Sequence, residues 1–285
     1  MSPVNSDPGS TPPPAESHTL RGGTANVAEV FRVGESVFRP TTPQSASVQN
    51  FLNHVRSKGI DWVPAPQTLA IDGLDSFSWI EGTAVTEPLA PWSASADLLK
   101  EVATRQRQLH EAARSYFPEH DMWAITAGDY FPARALTGAG LVFCHNDLST
   151  SNVIVDVDGP GANVSGFIDF DYVRAVDPLF DIAVAARHWS PMTDERADEW
   201  NLSNADRIAR FAMFCDVHGL TGKERDTVVS YIVAFLRHAR SNIVALAKTG
   251  RAGFVALIEN GYLDVNDRTV AWTEHHRCWL APQQL

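Results

Sequence analysis

The stretch Leu141-Val-Phe-Cys-His145-Asn-Asp147-Leu-Ser-Thr-Ser-Asn152-Val-Ile-Val reads as a short apolar strand, a polar loop and a second apolar strand. Within eight residues the loop holds a histidine, an aspartate and an asparagine. A second acidic cluster follows at Gly166-Phe-Ile168-Asp169-Phe-Asp171. Magnesium takes carboxylate and amide oxygens, and a carboxylate can receive the proton of a hydroxyl. Strands that bring such groups to one place suit magnesium-assisted phosphoryl transfer.

His-x-Asp-x-x-x-x-Asn followed by Ile-Asp-Phe-Asp resembles the aminoglycoside phosphotransferase and choline kinase branch of the protein-kinase-like superfamily. The resemblance runs from about Leu20 to Trp189 and is strongest from Val142 to Ala183. It implies an α+β, two-lobed fold with a small antiparallel-sheet N-lobe and a mainly helical C-lobe. It also implies an ATP- or GTP-dependent kinase that phosphorylates a small-molecule hydroxyl. Asp147 would accept the hydroxyl proton, and Asn152 and Asp169 would hold Mg2+. His145 shares the catalytic loop as its organiser, bonding to backbone or to Asp169. Asp171 is either a second metal ligand or a structural acid, and the structural role is preferred. Asp181 would brace the loop by accepting backbone hydrogen bonds. No Ala-Pro-Glu segment follows Asp169, which argues against protein acceptors. Aminoglycoside-like antibiotics, other amino sugars and amino alcohols are all compatible acceptors, with antibiotic resistance as one consequence.

The elements that must position these groups follow from pattern. Residues 1–18 are proline-rich and polar and are expected to be a disordered tail. Residues 19–82 are assigned to the nucleotide-binding lobe and 83–285 to the catalytic and substrate-binding lobe. Gly22-Gly23-Thr24 precedes a strand hairpin, Val27–Val33 and Ser36–Arg39, turning at Gly34-Glu35. A glycine pair there can be a plain turn or can let backbone N–H groups approach phosphate. Arg39 stands where the family places a strand lysine for the phosphates, and a guanidinium can grip phosphate bidentately. The helix expected at Ser47–Lys58 (Val48, Phe51, Leu52 and Val55 on one face) is the one that in the family carries a glutamate for that cation. It has no acidic residue. Asp72-Gly73 marks a hairpin, and Phe77 to Gly82 is either an ordinary strand end or the hinge the resemblance implies, where backbone groups of Phe77, Trp79 and Ile80 would meet adenine.

Beyond the hinge, a helix from about Ser95 buries Leu98, Val102 and Leu109, with His110 read as a surface or packing residue. Residues 117–140 read mostly as loop, where Trp123 and Tyr130 could line a cleft. A hairpin through Asp158-Gly159-Pro160-Gly161 returns Asp169 to the loop. Asp177-Pro178 opens a helix, and Thr221-Gly-Lys-Glu224 is a capping box ahead of a long one. Ile208, Phe211, Ala212 and Cys215 form a further buried face. The acidic cluster Asp194, Glu195, Asp198 and Glu199 can face a cationic substrate or simply solvent. His275, His276 and Cys278 lack structural-zinc spacing.

The net charge of −11 opposes binding to nucleic acid phosphates and is compatible with a cationic partner. Hydrophobic residues make up 44%, enough for a core, yet no run is long enough to span a bilayer. The first twenty residues lack a signal-peptide pattern, and three scattered cysteines make no disulfide framework, so a cytoplasmic location is expected. The contrasting reading is a catalytically weak pseudokinase with a nucleotide-binding or regulatory role. The acid-free helix and Arg39 point toward it; Asp147, Asn152 and Asp169 oppose it.

Overall fold

A computed structural model describes residues 17–20, 30–86, 89–118, 131–158, 161–192 and 200–282. Gly22, Gly23, Thr24, Trp123, Tyr130 and the acidic cluster at 194–199 lie outside the described residues, as does the proline-rich tail up to residue 16.

The N-terminal part is an antiparallel sheet of β1 (His18–Leu20), β2 (Val30–Val33), β3 (Ser36–Pro40), β4 (Pro66–Ile71) and β5 (Leu74–Ser78), in the order β1-β2-β3-β5-β4. The hairpins turn where the sequence places turns. Gly34 and Gly73 both have positive φ, 56° and 78°. The first described strand begins at His18, the last residue assigned to the tail. The helix α1 (Ser45–Ser57) buries Val48, Phe51, Leu52 and Val55, the face its periodicity marks out, and Phe51 meets the rings of Tyr116, Phe143 and Phe170.

The chain then crosses to a second region at residues 79–82. The two-residue strand β6 (Thr83–Ala84) joins β8 (Val153–Asp156) and β9 (Asn163–Phe167). Gly166 is required at this crossing, because a Cβ there would lie 2.1 Å from the Trp62 carbonyl oxygen. The N-terminal part and β9 can approach closely only with glycine at that position.

Strand nesting forces the two acidic segments together. β7 (Val142–Cys144) pairs with β10 (Arg174–Val176), Cys144 opposite Arg174. β8 pairs with β9, Val153 opposite Phe167. The loop 145–152 and the loop 168–173 each run from one strand pair to the other. They therefore lie side by side.

Helices support these loops from beneath. α2 (Ala96–Ala113) begins at Ser95, whose side chain accepts the Asp97 and Leu98 amides. α3 (Pro178–Trp189) is capped by Asp177 and buries Phe180, Ile182, Val184, Trp189 and three alanines, so it is apolar on almost every side and central. α4 (Asn204–Val217) and α5 (Gly222–Lys248) both open with capping boxes, Ser203/Asp206 and Thr221/Glu224. α6 (Ala252–Glu259), α7 (Tyr262–His275) and α8 (Arg277–Leu280) complete this side. The α4 face differs from the expected one. Ile208 is only partly buried, while Arg207 and Arg210 are buried. Arg210 donates from Nε to the Trp189 carbonyl at 3.0 Å and from Nη1 to Ala94 at 2.5 Å. A buried arginine thus satisfies a carbonyl at the C-terminal end of α3, which helical geometry leaves unpaired.

Candidate active site

His145 and Asn146 are fully buried and turn the chain between β7 and Asp147. His145 Nε2 donates to the Ile168 carbonyl at 2.9 Å, and its Nδ1 accepts the Asp147 amide at 3.2 Å. The ring is therefore the neutral Nε2–H tautomer, and burial holds its pKa below the usual histidine value. It organises the loop through backbone; its bond is to Ile168, the neighbour of Asp169.

Asn146 has φ of 65°, in the left-handed region that asparagine tolerates. Its Nδ2 donates to the carbonyls of Cys144 and Tyr172, both at 2.9 Å, so one side chain clips the two loops together. Its backbone N–H donates to Asp181 Oδ1. Asp181 Oδ2 accepts from Gln106 Nε2 at 2.7 Å and from His110 Nε2 at 2.6 Å. The carboxyl stays below the usual aspartate range: burial raises it, but the His110 hydrogen bond and charge more than offset that. The expected brace is thus present, and it includes His110, whose spacing on α2 suggested only packing. Trp189 Nε1 adds a bond to the Leu148 carbonyl at 3.2 Å.

Asn152 Nδ2 donates to Asp147 twice, to the carbonyl oxygen at 2.7 Å and to Oδ2 at 3.2 Å. That spends the amide nitrogen and leaves Oδ1 as its remaining oxygen for a cation. The Ile168 amide donates to the Asn152 carbonyl at 2.9 Å. Asp147, Asn152 and the Ile168-Asp169 turn therefore form one hydrogen-bonded group. Asp169 itself has φ of 63°. Burial and the Asp171 charge raise its pKa to about 6, against the lowering effects of Arg39 and the Asp171 amide. A carboxylate pushed this far gains from a nearby cation. The available donors are all oxygens, so the residues fit magnesium.

Arg39 is no surface arginine. Its Nη1 lies 2.5 Å from Asp171 Oδ1, with side chains 17% and 13% exposed, and its guanidinium sits 5.1 Å from the Phe77 ring centroid. The Phe77 side chain is in the core, 6% exposed. The Trp79 ring stacks under Arg32 and donates to Glu81 at 2.7 Å, and the Trp79 amide donates to the Glu35 carbonyl. Its ring and amide are thus already engaged. Tyr172 escaped notice in the sequence. Burial, and after it the carboxylates of Asp147, Asp169 and Asp171, raise the pKa of its phenol to about 12. Its adjacency to the Ile-Asp-Phe-Asp cluster was the available signal.

Residues 87–211 match the model of the phosphotransferase enzyme family. The chain has that family's kinase-like fold. The GDP and kanamycin complex of APH(2")-IIia superposes with a TM-score of 0.58 at 14% identity, covering 92% of this chain and 94% of the other. A choline/ethanolamine kinase family protein from Mesorhizobium loti gives a TM-score of 0.55 at 18% identity, covering 94% of both chains. By sequence, a trifolitoxin immunity protein of Rhizobium leguminosarum bv. trifolii is 27% identical over 256 residues, which are 87% of this chain and 92% of the relative. These likenesses agree with the two-part α+β architecture expected from the motifs.

Proposed function

We propose that this protein is a nucleotide-dependent phosphotransferase that adds phosphate to a hydroxyl of a small molecule, with ATP or GTP as donor and Mg2+ as the metal. The observation that carries the reading is the single hydrogen-bonded group of Asp147, Asn152 and the turn at Asp169. In it Asp147 would accept the acceptor's proton and aim its oxygen. Asn152 Oδ1 and the Asp169 carboxylate would hold the metal, whose charge when bound offsets that of the phosphates. Arg39 would add positive charge on the phosphate side.

The pseudokinase alternative loses its main support. The acid-free helix does not leave Arg39 without a counter-ion, because Asp171 supplies one. The net charge of −11 favours cationic acceptors. The neighbours' names make aminoglycosides, choline and ethanolamine the first acceptors to try, and the Rhizobium relative's name adds toxins to that set. No helix among the described residues is long and apolar enough to cross a membrane.

The test is nucleotide consumption and product mass with these pools, using Mg·ATP and Mg·GTP. A phosphorylated product that needs magnesium supports the reading. A wild-type protein that neither binds nor consumes either nucleotide overturns it.

A further inference from the structure

Kinase-like chemistry needs a cation held at the nucleotide phosphates, and a flexible cationic side chain must itself be held. The helix α1 carries no carboxylate to do this. Its polar residues are committed elsewhere. Ser45 Oγ and Gln49 Nε2 donate to the buried Asp75 on β5, the Gln49 bond being 3.0 Å, and Asp75 is the cross-strand partner of Arg39. Helix and sheet are therefore tied through the strand's acid and the helix's neutral donors. Arg39 is left out of that link.

Its partner comes from the other part of the molecule. Arg39 reaches Asp171, 132 positions further along the chain. Gln44, at the start of α1, sends its side chain to the Asp171 carbonyl at 2.9 Å rather than capping its own helix. The Asp171 amide in turn donates to Asp169. The guanidinium uses only Nη1 on the carboxylate. Nε and Nη2 are buried without a hydrogen-bond partner, a costly state for charged donors. A planar guanidinium pinned at one nitrogen keeps its other donors in fixed directions.

We propose that Asp171 is the positioning residue for Arg39: it replaces the missing helix acid and clamps the guanidinium from the catalytic side, so that its charge is held where the nucleotide phosphates would lie. The clamp is closed by Gln44, so the phosphate cation is set only when the N-terminal sheet and the Asp169–Asp171 turn are docked. This inference rests on the proposed phosphotransferase function and names how that site holds its donor.

The test is a double-mutant cycle on the affinity of the full chain for Mg·ATP and Mg·GTP, read by calorimetry. Asp171→Asn is expected to raise the dissociation constant about tenfold or more, the usual size for losing a group that orients a binding residue. In an Arg39→Ala background the same change should cost nothing further, because its target is gone. Asp171→Glu should recover part of the affinity, and Gln44→Ala, which leaves both charges in place, should give a smaller rise. Wild-type affinity in Asp171→Asn overturns the proposal, as does an equal cost in both backgrounds, which would make Asp171 a direct metal ligand. Should Asp171→Asn fail to fold, an unchanged affinity in Gln44→Ala overturns it. A wild type that binds neither nucleotide overturns the functional reading, and this proposal with it.

Discussion

The catalytic loop and the phosphate cation are built in opposite ways. Around the loop, His145, Asn146 and Asp181 are fully buried, and each is held by several hydrogen bonds. The loop's own sequence supplies most of the donors, and helices α2 and α3 supply the rest. On the phosphate side one ion pair and one amide bond join segments far apart in the chain. The group that would take the proton is thus fixed by the fold itself. The group that would meet the nucleotide is fixed by the docking of two parts. The loop is pre-organised, while the Arg39 contact depends on how the parts meet.

Breaking the catalytic side should cost most. Asp147→Ala is expected to lower turnover by roughly 10²–10⁴-fold, the range for a lost general base. Nucleotide affinity should remain near wild type, because the proposed role puts Asp147 on the acceptor side. Calorimetry and steady-state rates on the same preparation separate these, and full turnover in the variant removes Asp147 from the mechanism.

The brace beneath the loop should show next, in stability rather than rate alone. Asp181→Ala removes a buried carboxylate and strands the Asn146 amide, Gln106 and His110. Removing one member of a buried ionic network commonly costs about 3–5 kcal/mol. Denaturant unfolding would measure it, and a loss below 1 kcal/mol would mean that the loop is held by other groups.

The phosphate side should respond differently. Arg39→Ala is expected to reduce kcat/KM for nucleotide by about 10²-fold, as for other lost charge-stabilising donors. Its stability should change little by comparison. Arg39→Lys should fall between: an ammonium can keep the pair with Asp171 but offers no planar second and third donor toward phosphate. Equal kinetics for the lysine and arginine proteins would show that charge alone matters there.

Sequence alone exposed the first region far better than the second. Apolar runs flanking His145–Asn152, the Ile-Asp-Phe-Asp cluster and the Asp177-Pro178 cap are local patterns, and each became the element expected. The helix at α1, the Asp72-Gly73 hairpin and the Thr221 capping box were local as well. Partners distant in sequence were not readable. Nothing near Arg39 announces Asp171, and nothing around Asp75 announces Ser45 and Gln49. His110 is one histidine on an apolar face until α3 places Asp181 beside it. Arg207 and Arg210 look like solvent-facing charges until Trp272 lies against the first, and Trp200 and the end of α3 against the second. The strand β6 is two residues long and exists only because β8 lies beside it.

The last prediction uses pH to sharpen the contrast. Burial lowers the pKa of His145 from its ordinary value near 6.5, since the charged ring would be stripped of water and its Nδ1 already accepts the Asp147 amide. The unfolded chain therefore binds the proton more readily than the folded one. Stability from the neutral ring is fully present above the unfolded pKa and falls as pH drops below about 6.5. The buried His188 and His218, lowered in the same direction, add to the slope. Replacing His145 with asparagine removes one contributor, so the decline in unfolding free energy between neutral and mildly acid pH should become shallower, while the protein is less stable at pH 7. Because the ring's hydrogen bonds go to Ile168 and Asp147, beside the proposed proton acceptor, affinity for Mg·ATP at pH 7 should change less than turnover does. Denaturant titrations of both proteins across this range would decide it. Parallel stability profiles would mean that His145 takes up its proton without disturbing the loop, and the ring would then be a spacer rather than a pH-sensitive staple.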